Sequence, residues 1–279
     1  MIRHSRRRLA LQCVVLGIGA ATALVPLAGL AKEASKEKER PPIVDPRARE
    51  LLRAMSDYLA GAKTFTVRAT LSFDHVLPTG QKIQLGAVED VAVMRPNRAY
   101  VEYDGDVGSK RLWYDGKALT MYDPDDDVYA SVPMPNNIDA MFDRLLKDYG
   151  FSPPLSDLVY SDPYKILIPH AQFGLYLGEH PIDGVRCHHL AFVDKTIDWQ
   201  IWIEDGTQVV PHRVVITYVT QPEVPQFQAT FSDWTFGDRL IDAQFKPQIP
   251  PSAGKIEFLP SAVNPTVAPG AKKAPEAKK

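Results

Sequence analysis

Phe65-Thr66-Val67-Arg68-Ala69-Thr70-Leu71-Ser72-Phe73-Asp74 alternates apolar and polar side chains without a break. Successive side chains on a strand point to opposite faces, so this stretch reads as a strand with one dry and one wetter surface. Pro78-Thr79-Gly80 turns the chain, and Ile83, Leu85, Ala87, Val91 and Val93 resume the same period of two. Arg95-Pro96-Asn97 makes a second turn ahead of Ala99-Tyr100-Val101-Glu102-Tyr103. Asp104-Gly105-Asp106, Asp115-Gly116 and Asp123-Pro124 then punctuate three shorter runs ending near Val132. Short alternating strands joined by tight Gly, Asp and Pro turns specify an antiparallel meander.

On either side the period changes. Upstream, Asp45-Pro46 offers an N-cap side chain followed by a proline at the first helical position, where its missing N–H costs nothing. Leu51, Leu52, Met55, Tyr58, Leu59 and Ala62 follow at helical spacing, with Gly61 at the end. Downstream, Ile138, Met141, Phe142, Leu145, Leu146 and Tyr149 mark a second amphipathic helix closed by Gly150. A short helical piece is expected over Leu155–Val159, and Pro163–Ile168 is ambiguous. From Phe173 strands resume, through Val185–Val193, Trp199–Ile203, Val214–Val219 and Phe227–Trp234. Strands, helices and more strands fit an α+β protein: one strongly curved antiparallel sheet, with the apolar helical faces buried against its concave side.

The N-terminus reads as an export signal. Arg3, Arg6, Arg7 and Arg8 precede an uncharged stretch from Leu9 to Ala31 that ends in Gly29-Leu30-Ala31. Small residues at the last and third-last positions suit signal peptidase, so cleavage is expected after Ala31. Residues 1–31 are therefore assigned to a signal peptide and 32–44 to a charged linker. Residues 45–259 form the domain, and the Pro-, Ala- and Lys-rich 260–279 a disordered tail. Ser5-Arg6-Arg7-Arg8-Leu9-Ala10-Leu11 also resembles a twin-arginine signal, leaving that route open beside the general secretory one. An uncleaved anchor is the competing reading of the apolar stretch; with cleavage, no integral span remains and the expected location is the periplasm.

Composition narrows the partners. The formal net charge of −2 becomes more negative once the leader's arginines are removed, and the remaining basic residues form no stripe. Nothing here would neutralise phosphates, so nucleic acid is not expected as a partner. Cleavage leaves a single cysteine, Cys187, which rules out an internal disulfide and is safest buried in a strand.

Three motifs carry a resemblance. Met94-Arg95-Pro96-Asn97-Arg98 links two strands, and Trp113-Tyr114-Asp115-Gly116-Lys117 leads on to Met121-Tyr122-Asp123-Pro124. Trp202-Ile203-Glu204-Asp205 is followed by Val210-Pro211-His212-Arg213. In this order they resemble the lipoprotein-carrier superfamily of LolA and LolB. Within it the chain is most similar to a family of predicted periplasmic proteins (domain of unknown function 2092), through Gly178-Glu179-His180-Pro181-Ile182-Asp183-Gly184 and Cys187-His188-His189-Leu190. The resemblance spans roughly Asp45 to Leu259. It implies an incomplete β-barrel whose open side is plugged by helices, and a hydrophobic ligand: a lipid, an acyl chain or a lipoprotein. An envelope protein-interaction or stress-sensing module on the same scaffold is the alternative.

No catalytic motif emerges, and no enzyme activity or cofactor is expected. There is no Gly-x-Ser-x-Gly elbow and no glycine-rich phosphate loop. His180, Asp183, Cys187, His188 and His189 raise zinc as a question, but adjacent strand residues face opposite ways and a tetrahedral set is not expected. Asp123, Asp125 and Asp127 imitate a calcium loop whose sixth and twelfth positions, Val128 and Met134, are wrong for it. The expected ligand lining is Phe65, Phe73, Trp113, Met121, Met141, Phe142, Leu145, Trp199 and Trp202. Met141, Phe142 and Leu145 lie on the helix expected to act as a lid.

Overall fold

The computed structural model describes residues 43–258. The expected signal peptide, most of the expected linker and the expected tail lie outside them. Ile43 and Val44, at the end of the expected linker, instead form a short strand, β1 (Ile43–Val44).

Helix α1 (Pro46–Gly61) starts as its residues dictate: the Asp45 carboxylate accepts from the Arg47 N–H at 2.7 Å and Pro46 occupies the first turn. Its buried face comprises Ala48, Leu51, Leu52, Met55, Ser56 and Leu59. Ser56 is tolerated there because its hydroxyl donates to the Leu52 carbonyl at 2.8 Å. The meander follows as β2 (Thr64–Val76), β3 (Lys82–Met94), β4 (Arg98–Gly105), β5 (Gly108–Tyr114), β6 (Ala118–Asp123) and β7 (Val128–Pro133). Helix α2 (Ile138–Tyr149) is capped by the Asn137 side chain on Ala140 N–H and ends at Gly150, whose φ of 63° is open to glycine at little cost. A 3-10 turn at Ser156–Leu158 occupies the short helical piece expected there. The ambiguous segment resolves as α3 (Pro163–Leu167), capped by Asp162.

The second half adds β8 (Phe173–Ile182), β9 (Val185–Val193), β10 (Asp198–Glu204), β11 (Pro211–Thr217) and β12 (Gln226–Phe236), and the described chain closes with β13 (Gly254–Lys255). All belong to one 13-stranded sheet in the order β1-β8-β9-β10-β11-β12-β2-β3-β4-β5-β6-β7-β13. Two meanders thus join where β12 pairs antiparallel with β2. Among the described residues only the rim pairs, β1 with β8 and β13 with β7, are parallel. The rims do not meet, so the curved sheet is an unclosed barrel, the fold expected from the motifs.

The core lies between the inner face of this sheet and the helices. Leu52, Met55 and Leu59 of α1 and Ile138, Met141 and Leu145 of α2 join Phe65, Val93, Tyr114, Phe192, Trp199 and Ile201 in one buried cluster. The arginine-proline turn holds α2 over the sheet. Pro96 O accepts from the Ile138 N–H at 3.0 Å, and the Arg95 guanidinium donates to the carbonyls of Val159 (2.7 Å) and Tyr160 (3.2 Å). Among the described residues, no helix is long and apolar enough to cross a membrane.

Candidate ligand-binding face

Register sorts the expected lining residues by face. Tyr114 belongs to the core, so its neighbour Trp113 points to the outer face, where it lies 5.7 Å from the Tyr100 ring. Trp202, between core residues Ile201 and Ile203, also points outward and stacks on His189 at 4.0 Å. These two tryptophans therefore belong to the opposite surface of the sheet from the helices. Trp113 is nonetheless buried, as is Phe245 in the 3-10 turn Asp242–Phe245 that lies against β4. The Arg98–Asp242 ion pair, 3.7 Å, ties down the same crossing. Sequence reading missed this outer strap, since a lone Phe in a proline-rich stretch carries no periodic signal.

Five of the remaining seven meet inside. Phe65, Met141, Phe142, Leu145 and Trp199 are all buried in the main core. Phe73 lies on the same face of β2 but is only half-buried. Met121 also faces inward, opposite Leu112.

Around Met121 the inner face shows an arrangement that no motif announced. Val67, Val91, Val101, Leu112 and Met121 are direct partners across β2, β3, β4, β5 and β6. Val91, Val101 and Leu112 in the middle of this apolar row are only half-buried. Two residues further along the strands, on the same face, runs a polar row: Glu89 opposite Tyr103, and Tyr103 opposite Lys110. Lys110 Nζ lies 2.9 Å from the buried Asp123 carboxylate. Glu89 is 5% exposed, its Oε2 has no hydrogen-bond partner, and burial alone pushes its carboxyl up to about 8. The signal for it was present in the sequence: Ala87-Val88-Glu89-Asp90-Val91 sets a glutamate at an apolar position of the alternation.

The other suspected clusters have structural partners. His180 and His189 share a hydrogen bond between their Nδ1 atoms at 3.0 Å, and Gln200 Oε1 holds the other nitrogen of His189 at 3.0 Å. Burial pushes the His189 imidazole towards its neutral form. His188 faces inward to the Tyr176 hydroxyl at 3.1 Å. Cys187 is buried, and burial followed by the nearby Glu204 charge pushes its thiol up to about 11, the opposite of a reactive thiolate. Among the described residues, no three His, Cys, Asp or Glu side chains are grouped as metal ligands. In the acidic turn, Asp123 pairs with Lys110 and caps two backbone N–H groups. Asp125 accepts from the Ser109 N–H at 2.7 Å, and Asp127 from the Tyr122 hydroxyl at 3.0 Å.

Fold and site together define a class: an unclosed, curved-sheet protein with an amphipathic inner face partly roofed by helices. The chain belongs to the family described as Predicted periplasmic protein (DUF2092), which matches residues 48–259. The periplasmic location read from the N-terminus agrees with that description. Curated proteins give no match. Solved structures similar to the chain include LprF from Mycobacterium bovis, at 17% identity and TM-score 0.40, covering 76% of this chain and 100% of that one. A conserved protein from Thermus thermophilus has 12% identity and TM-score 0.45, covering 76% and 99%. A LolA superfamily protein from Nitrosomonas europaea has 10% identity and TM-score 0.33, covering 72% and 97%.

Proposed function

We propose that the protein binds or carries a hydrophobic ligand in the periplasm, non-covalently: a lipid, an acyl chain or the acyl part of a lipoprotein. One observation carries this reading. The apolar inner face extends from the buried core into the half-buried row Val91, Val101 and Leu112, where a filled core would close over its own side chains. Covering such a surface stabilises a complex by ~25 cal/mol per Å² of apolar area removed from water. In this reading Met141, Phe142 and Leu145 of α2 are the roof, and the unbranched Met141 re-packs around variable chains. Phe65, Phe73, Met121 and Trp199 contribute to the floor and walls.

Gentle purification followed by lipid extraction and native mass spectrometry tests this. Co-purifying lipid, or saturable displacement of a fluorescent fatty-acid probe, is expected. A folded protein that yields neither refutes the reading.

A second reading rests on the β8 rim. β1 pairs only with Phe173 and Gly174, so among the described residues the rest of β8 has no strand partner on that side. Leu175 and Leu177 there are 38% and 41% exposed. An extended, apolar segment of an envelope protein would add to this edge as a further strand. Strand-edge crosslinks from Leu175→Cys to one stoichiometric partner support it; a monomeric, uncrosslinked protein in envelope extracts refutes it.

A further inference from the structure

We propose that Glu89 is the head-group ligand of this face and that it selects a single-chain acyl lipid with an uncharged, hydrogen-bonding head, such as an ester carbonyl with free hydroxyls. The inference rests on the hydrophobic-ligand reading and deepens it by naming the class of ligand.

Two rows of side chains carry the argument. The apolar row from Val67 to Met121 crosses five neighbouring strands. At ~4.8 Å per strand this is about 19 Å. One leaflet of a bilayer, half of a hydrocarbon core of ~30 Å, is about 15 Å deep. The row is thus long enough for one extended acyl chain. The polar row of Glu89, Tyr103 and Lys110 runs beside it, displaced by two residues along each strand, roughly 7 Å. An amphiphile lying across the strands sets its tail against one row and its head against the other.

Within the polar row, Lys110 is already committed to Asp123 at 2.9 Å. Glu89 Oε2, by contrast, is buried without a hydrogen-bond partner. An unpartnered buried polar atom costs a protein kilocalories, and a leucine would serve better in a core of the same shape. Bound ligand removes that cost if it supplies the missing partner. A carboxyl in so dry a place is favoured in its neutral, O–H-donating form, which matches a carbonyl or hydroxyl oxygen. An anionic head would have to be desolvated beside a neutral carboxyl that supplies no compensating positive charge. A quaternary ammonium head would need the carboxyl ionised and would offer no hydrogen bond.

The test compares probes that share one tail: monododecanoylglycerol, dodecane and dodecyltrimethylammonium, each measured by displacement of an apolar fluorophore from the whole mature protein. The wild type is expected to bind the glyceride about tenfold more tightly than dodecane, the worth of one good buried hydrogen bond. Glu89→Leu should erase that preference and leave dodecane binding unchanged. Glu89→Gln, which still donates, should keep most of it. Melting curves of both variants establish that they are folded. Equal glyceride affinity in wild type and Glu89→Leu overturns the proposal. So does preferential binding of the ammonium probe that Glu89→Gln abolishes, since the carboxyl would then be pairing with a cation. Dodecane binding without any glyceride preference refutes the head-group role alone, whereas failure of every probe to bind refutes the hydrophobic-ligand reading beneath it.

Discussion

Glu89→Gln replaces a titrating carboxyl with a neutral amide of nearly the same shape, which makes its effect on stability calculable as a function of pH. Burial raises the Glu89 carboxyl from its usual 4.5 to about 8 in the folded protein. Below 4.5 both folded and unfolded chains are protonated and the group imposes no pH-linked penalty. Between 4.5 and 8 the unfolded chain releases its proton while the folded chain keeps it, so stability falls as pH rises. The slope is about 1.4 kcal/mol per pH unit, and above 8 the penalty levels off. At pH 7 the wild type should be about 3 kcal/mol less stable than Glu89→Gln, while the two should nearly coincide at pH 4.5. For a domain of this size each kcal/mol moves Tm by ~2–4 °C, so the gap at pH 7 is roughly 10 °C. Asp157, which burial pushes up to about 7, weakens the wild type in the same direction. Burial alone moves each carboxyl, so the two are uncoupled and the Asp157 contribution cancels between the proteins. Thermal melts of both across pH 4.5 to 8 supply the measurement. A difference in Tm that stays constant over this range refutes the burial of the Glu89 carboxyl with its Oε2 unpartnered.

Four further outcomes are expected. Leu145→Ala empties a buried position of α2 and should cost about 3 kcal/mol in urea unfolding. Arg95→Met leaves the Val159 and Tyr160 carbonyls without their donor and should cost about 2 kcal/mol; hydrogen exchange should rise over residues 138–142 and 156–160 before it rises in the sheet. Gly116→Ala sets a side chain at φ 80° with its Cβ 2.6 Å from Arg98 Nη1, and should lower stability by about 1 kcal/mol or more in thermal melts. Val101→Ser, at a half-buried position of the apolar row, should weaken binding of a fatty-acid probe several-fold in a displacement titration while changing Tm by only a few degrees.

Much of the architecture was legible because it is written locally. The alternation from Phe65 to Phe73, the Asp45-Pro46 cap and the Asp115-Gly116 turn each act within a few residues, and each appears as read. Asp115 Oδ1 accepts from the N–H groups of Lys117 and Ala118, both at 2.9 Å, as a tight turn requires. Alternation, however, states which side chains share a face, not which face the helices cover. That is why alternation alone groups Trp113 and Trp202, apolar and strand-borne, with Phe65 although they lie on the other surface. Trp234 shows the same limit at closer range. An irregularity between Ser232 and Thr235 of β12 breaks the period, and Asp233 adopts a φ of 55°. Trp234 is thereby brought against Phe65, 5.9 Å between ring centres, in a cluster with Phe236.

What the chain alone determined, then, is its inventory of strands and helices, its family and the curved-sheet fold that the family's motifs imply. All of these depend on short stretches whose conformational preferences or signals are complete in themselves. Only the tertiary structure decided that β12 would pair with β2, and that Glu89, Tyr103 and Lys110 would fall in one row beside Val91, Val101 and Leu112. Rows across a sheet are set by the register of strands distant in sequence. The burial of a carboxyl is set by the neighbours that register brings to it, and no single strand contains that information.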